Sequence, residues 1–292
     1  MKPLLKNIEH QSFLDNNGYI KLPFLDEQEI NELNTFYHTQ EIINKTPCFA
    51  SNTILDKDQN KAISDTILHN IRSKADILFT NYEIHGGTFL IKGKENGELS
   101  LHQDSTIVDK ENDQAYFLWI PLENVSKSNG CMYVLPKSHL FFNNYVSYSL
   151  KNEDINRKYV PSNFIEDIEM TKGEILIFSS RLFHGSYTNK TDKKRVAINV
   201  LLTNKNASLV YYNKKSDTTI SKYIIAPVDY LNSYSDYSKG NLPSNAIFEK
   251  DINYTHQIID HRTLYQKIKR KKLPLILELA YLTNNKMSKI FK

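Results

Sequence analysis

A chain of 292 residues with 40% hydrophobic and 24% charged residues has the composition of an ordinary globular protein, long enough to bury a sizeable core. Its mean hydropathy of −0.49 argues against a membrane protein. The formal net charge of +4 comes largely from the C-terminal end and reads as solvated surface, too modest an excess to mark a nucleic-acid binder.

The N-terminal stretch MKPLLKNIEHQSFLDNN has no uninterrupted apolar run and no small-residue cleavage site. It reads as mature protein, which predicts a cytoplasmic chain. Residues 12–25, SFLDNNGYIKLPFL, predict a helix end, a stop at Gly18 and a short strand. Asp26 then reads as an N-cap with Glu29 three residues on, followed by Ile30, Leu33 and Phe36 or Tyr37 at helical spacing. A second helix is predicted over about 61–80, where Ile63, Ile67, Leu68 or Ile71, and Leu78 keep a similar period.

From residue 82 the texture changes. YEIHGGTFLIKG, LSLHQDSTIV, AYFLWIPLENV, CMYVLPKSH, GEILIFSS, GSYTN and RVAINVLLT each predict a strand, separated by turn residues. Many short strands of this kind indicate a sandwich or barrel. The connection from Ser138 to Met170 is too long for a hairpin and reads as a lid or binding loop. Beyond 204 the chain becomes polar and tyrosine-rich. It ends in a basic helix broken near Pro274 and an apolar helix, LPLILELAYL, far too short to span a membrane and carrying Glu278. The expected organisation is one domain over 1–203 and an extension over 204–292 packed on it. Cys48 and Cys131 lie far apart with no CxxC partner, which gives no support to a disulfide framework or zinc ribbon and suits a reducing compartment.

Chemistry concentrates in two places. In LHQDST, His102 and Asp104 share one face if the segment is a strand. Such a pair alone is a weak signal. Downstream, GEILIFSSRLFHGSYTNKTDKKRVAINV leads through His184 to a polar turn and Arg195. If 174–188 pairs antiparallel with 195–203, His184 and Arg195 face one cavity from neighbouring strands. Two imidazoles and one carboxylate on one face of a metal leave about three octahedral positions open, the arrangement of non-haem iron(II) oxygenases. A guanidinium at the far end can take a carboxylate through its planar fork.

With these residues in hand, the chain resembles the phytanoyl-CoA dioxygenase family of iron(II)/2-oxoglutarate oxygenases from about residue 12 to residue 203. The likeness runs through FLDNNGYIKLPFLDEQEINEL, LSLHQD, FLWIPLENV, SNGCMYVLPKSH, KGEILIF and HGSYTNKTDKKR, in that order and spacing. One departure is Lys137-Ser138-His139, where the family usually has Gly-Ser-His. The resemblance implies a mainly β fold with flanking helices, the double-stranded β-helix or cupin-like jelly-roll barrel. By the same resemblance His102, Asp104 and His184 hold Fe(II), Arg195 pairs with the distal carboxylate of 2-oxoglutarate, and Ser186 and Trp119 line the co-substrate pocket. Dioxygen completes the reagents, and a small-molecule or carrier-bound substrate is hydroxylated with release of succinate and carbon dioxide. Family members that halogenate have lost the carboxylate, so Asp104 points to hydroxylation or desaturation.

The plainer readings differ residue by residue. His85 and His139 are expected to be structural, His10, His38, His69, His256 and His261 to be surface residues, and Cys131 a buried small side chain. Trp119 alone reads as core, Ser186 as a turn residue and Arg195 as a solvated hairpin charge. A rival from another class is a non-catalytic jelly-roll protein that binds a ligand in the same pocket or through its tyrosine-rich tail. The single basic run KIKRKK is thin support for nucleic-acid binding, and none is expected.

Overall fold

Asn7 opens the first helix, α1 (Ile8–Asn17), its side-chain oxygen accepting the amides of Glu9 and His10. Gly18 closes it at φ +83°, the left-handed conformation that glycine adopts at no steric cost. Strand β1 (Tyr19–Pro23) follows. Helix α2 (Glu27–Thr39) carries the capping box expected of Asp26 and Glu29, with both reciprocal hydrogen bonds present. Helix α3 (Lys57–Leu78) starts earlier than its apolar period suggests. Its first turn is polar and is instead announced by Asp56, which accepts the Gln59 amide. This computed structural model describes residues 3–40, 48–53, 55–95, 97–150, 154–226, 239–242 and 245–270.

Six antiparallel strands form the larger sheet. Besides β1 they are β2 (Cys48–Ala50), β3 (Tyr82–Lys92), β5 (Ala115–Pro121), β8 (Glu174–Ser179) and β10 (Arg195–Asn204), in the order β1-β8-β5-β10-β3-β2. The smaller sheet has β4 (Leu99–His102), β6 (Met132–Val134), β7 (Glu166–Ile168) and β9 (His184–Ser186), in the order β4-β9-β6-β7. The chain passes back and forth between the two, which is the jelly-roll, double-stranded β-helix topology. The sheets are separate hydrogen-bonded layers and do not close into one continuous barrel. One core lies between them and includes Trp119, Met132, Val134, Ile168, Leu176 and Ala197. On its opposite face the large sheet packs Leu118, Ile120, Ile177, Ile198 and Val200 against helical residues such as Leu33, Ile67 and Ile71. This two-sided burial explains the nearly continuous apolar runs of β5, β8 and β10.

The expected pairing of 174–188 with 195–203 does not occur. Both edges of β8 are already occupied, by β1 and β5, while β10 is flanked by β3 and β5. After Ser179 the chain turns, with the Leu182 amide donating to the Ser179 carbonyl at 2.9 Å, and β9 joins the other sheet. The strand read at GSYTN is accordingly short and begins at His184.

The polar segment after 204 contains strands that its sequence pattern hid: β11 (Val210–Lys214), β12 (Thr219–Ile224) and β13 (Ile247–Asn253), paired in that order. They belong to the compact unit Met1–Ile258. The second unit, Ile259–Lys292, contains the basic helix α4 (His261–Arg270). The break near Pro274, the LPLILELAYL segment and residues 227–238 of the tyrosine-rich stretch lie outside the described residues. Among the described residues no helix is long and apolar enough to cross a membrane.

Lys137 stands at φ +68°, a left-handed conformation in which a Cβ is strained. This is the position at which the resemblance to Gly-Ser-His departs. Lys137→Gly is expected to raise the unfolding free energy by about 1 kcal/mol, read as a higher denaturant midpoint at unchanged m-value.

Candidate metal centre

The pairing of β4 with β9 sets His102 directly opposite His184, and their ring centroids lie 4.4 Å apart. Each ring is oriented by its own backbone. His102 Nδ1 donates to the Ser100 carbonyl at 2.8 Å and His184 Nδ1 to the Leu182 carbonyl at 3.0 Å. A carbonyl can only accept, so each Nδ1 carries a proton, and in the neutral ring the lone pair is left on Nε2 for another partner.

Asp104 lies just past the end of β4 rather than within a strand. Its amide donates to the Ser180 carbonyl at 3.0 Å, and the intervening Gln103 turns away to donate to the Arg181 carbonyl at 2.5 Å. The carboxylate is thereby brought back over the imidazoles. Oδ1 is 4.0 Å from His102 Nε2, and Oδ2 is 3.6 Å from His184 Nε2. All three donor atoms lie within 4.8 Å of one another, too far for direct hydrogen bonds and spaced for a shared cation. Two neutral nitrogens and one anionic oxygen form the facial donor set that a ferrous ion takes. Burial pushes His184 down to about 4, with Asp104 opposing that shift and His102 adding to it. It is therefore neutral near pH 7, as a metal ligand must be.

Gly185 makes the approach possible. A Cβ at this position would stand 2.3 Å from the Leu99 carbonyl oxygen and 2.7 Å from the Tyr133 ring. No side chain larger than hydrogen fits between the two strands.

The triad opens onto a cavity of about 460 Å³. Arg195, Ser186 and Trp119, the expected co-substrate residues, all line it. Arg195 and His184 come from opposite sheets rather than adjacent strands, and so view the cavity from two sides. The Arg195 guanidinium carbon lies 5.1 Å from the centroid of the Trp119 ring, a cation–π contact. Nearby, burial pushes the Glu123 carboxyl up, opposed by the Val196 amide it accepts at 3.2 Å and by the Arg195 charge.

Several lining residues were not anticipated. Lys92 and Asn199 occupy the inner face of the large sheet, and Val210, Tyr211 and Ile225 come from the segment beyond 204. The alternation Thr88, Leu90, Lys92 was a usable signal for Lys92, since it places all three on one strand face. Nothing in the tail's polar texture marked its contributions. Of the long connection, Ser147 and Tyr148 reach the cavity, while Phe142, Tyr145 and Val146 are buried.

The other histidines read as structural behave so. His85 is buried, bonded at 2.7 Å to Thr203 Oγ1, and shifted toward neutrality by burial. His139 Nε2 donates to the Asp15 carbonyl at 3.0 Å, beside Gly18. Cys131 is buried, and burial pushes its thiol up to about 12.

A sequence profile of phytanoyl-CoA dioxygenase (PhyH) matches residues 14–197, a span that contains His102, Asp104, His184, Arg195, Ser186 and Trp119 but not Asn199, Val210, Tyr211 or Ile225. The chain belongs to the phytanoyl-CoA dioxygenase family. Curated members similar to it include the peroxisomal phytanoyl-CoA dioxygenase of Homo sapiens, 27% identical over 143 residues, which are 46% of this chain and 41% of that protein. The phytanoyl-CoA dioxygenase of Arabidopsis thaliana is 30% identical over 107 residues, 35% of this chain and 37% of that one. The chain thus spans about two fifths of the length of the curated family members it matches. Two solved structures share its fold. The epimerase SnoN, solved with Fe3+, alpha-ketoglutarate and nogalamycin RO, has a TM-score of 0.53 at 16% identity, covering 69% of this chain and 84% of that one. EvdO2 from Micromonospora carbonacea var. aurantiaca has a TM-score of 0.52 at 15% identity, covering 72% and 95%.

Gly185→Ala is expected to weaken Fe(II) binding by on the order of tenfold or more, by separating the imidazoles, while the far-ultraviolet circular dichroism is retained. Anaerobic calorimetry reads the affinity. A second expectation concerns pH. The folded-state pKa of His184, about 4, lies below its ordinary value near 6.5, so the unfolded chain binds more protons between these values. The associated stability is fully present above about 6.5 and is lost as pH falls toward 4. The melting temperature of metal-free protein should fall over this window, with a shallower slope in His184→Asn.

Proposed function

We propose that the protein is an iron(II)- and 2-oxoglutarate-dependent dioxygenase that hydroxylates an unactivated carbon of a small or carrier-bound organic substrate. The observation that carries this reading is the convergence of His102, Asp104 and His184 on a cavity whose facing sheet presents Arg195. The donor chemistry fits iron, and a buried guanidinium stacked on Trp119 fits the distal carboxylate of a 2-oxo dicarboxylic acid. Family membership agrees with both. When bound, iron with the 2-oxo acid supplies the oxidising power that activates dioxygen and replaces a substrate C–H by C–OH, leaving succinate and carbon dioxide.

The chain's own work is placement. His102 and His184 present Nε2 to the metal because their Nδ1 protons are held by backbone carbonyls. Asp104 contributes one negative charge against two on the ion, which leaves room for a second, anionic chelator. Arg195 orients that chelator along the large sheet through its fork, with the Trp119 ring fixing the plane. Ile107, Phe117, Leu201, Val210 and Ile225 exclude water from the remaining space and suit a largely apolar substrate surface. Ser147 and Tyr148 bring the long connection to the same space, where it would cover the substrate.

The test is a screen of candidate metabolites for stimulated succinate release, with hits followed by a mass gain of one oxygen. Asp104→Ala and His184→Ala are expected to abolish succinate formation, as is removal of iron by a chelator. Full turnover by His184→Ala would overturn the reading. Arg195→Lys keeps the charge and loses the fork, and is expected to raise the KM for 2-oxoglutarate on the order of tenfold with a smaller effect on kcat.

A further inference from the structure

Lys92 belongs neither to the triad nor to the guanidinium site, yet it is only 2% exposed and lines the same cavity. An ammonium removed from water to this depth is held only where charge and hydrogen bonding compensate. Its position follows from the sheet. In the antiparallel register of β3 with β10, Lys92 is the direct partner of Arg195, and Leu90 and Thr88 continue its face along the cavity. Two cationic side chains therefore share one rung of the large sheet.

The hydrogen bonding adds direction. Lys92 Nζ lies 2.8 Å from Ser186 Oγ and 3.4 Å from the Ser186 carbonyl oxygen. An ammonium can only donate, so Ser186 Oγ is the acceptor and its own hydrogen points elsewhere. Among the described residues the Ser186 hydroxyl forms no other hydrogen bond, although Ser186 is 7% exposed and faces the cavity. A buried hydroxyl donor held in this way is free to donate to an acceptor that enters the cavity, whether a ligand or water.

We propose that Lys92 is a co-substrate-positioning residue: it converts the Ser186 hydroxyl into a fixed donor and places a second positive charge beside Arg195, so that this end of the cavity selects a 2-oxo acid with a distal carboxylate. The inference rests on the dioxygenase reading above. It adds to Arg195 a partner that sets selectivity for the dicarboxylate over its monocarboxylate analogue, and it acts without touching the metal.

The experiment titrates 2-oxoglutarate, and separately 2-oxopentanoate, into Fe(II)-loaded protein without oxygen, following the visible charge-transfer band. The proteins compared are wild type, Lys92→Met, Lys92→Arg and Ser186→Ala. Lys92→Met is expected to weaken 2-oxoglutarate by about tenfold or more and to leave 2-oxopentanoate, Fe(II) affinity and melting temperature essentially unchanged. Lys92→Arg restores part of the loss. Ser186→Ala leaves the lysine in place and lowers the same preference, which keeps the test open if Lys92→Met does not fold. Unaltered discrimination between the two acids in Lys92→Met or in Ser186→Ala overturns the proposal, as does equal weakening of both acids. A wild-type protein that gives no band with either acid removes the dioxygenase reading and this inference with it.

Discussion

The chemistry of this protein depends on one antiparallel pairing, that of a four-residue strand with a three-residue strand. Where β4 meets β9, two histidines stand directly opposite each other, each with one ring nitrogen tied to a carbonyl of its own segment. Such short strands supply few ladder hydrogen bonds of their own. They are held by neighbours: β6 pairs with β9, Tyr133 donates to the Leu99 carbonyl, and the Leu101 amide and carbonyl both bond to Ile155. The long connection thus does structural work at Ile155 before any role over a substrate.

The two sheets divide the labour. The small sheet and the turn after it carry the donor set. The large sheet, backed by α1 to α3 through a continuous apolar layer, carries Arg195, Lys92, Trp119 and Asn199 on its inner face. Rigid sheets suit the proposed task, in which a donor set and an anion site would have to keep their separation for one chelator to reach both.

Much of this was legible in the amino-acid order. Asp26 with Glu29, and Gly18 after a helical run, are local signals whose physics is complete within a few residues, and both elements form as read. The metal-site candidates emerged because an oxygenase pocket of this kind needs a narrow set of side-chain chemistries in a fixed order. The erroneous pairing around 174–188 had a different origin. Residues 174–179 and 184–186 each suit a strand, and only the prior occupation of both β8 edges sends the second into the other sheet. The strands of 210–253 were missed because β13 is exposed along most of its length and β12 alternates Thr, Ser and Lys with Ile and Tyr, so neither shows a strong apolar period. Lys92 escaped notice because a lysine at a strand end normally reaches solvent, and its burial depends on a sheet partner far along the chain.

On the proposed reading, the contribution of Val210, Tyr211 and Ile225 to the cavity separates selection from reactivity along the polypeptide. Every residue proposed to hold metal or co-substrate lies within the segment shared with the family, whereas these three follow its last matched residue, 197. If that reading holds, divergence in the later stretch is free to retune which molecule is accepted while the proposed metal and co-substrate residues stay intact, giving the scaffold a replaceable wall.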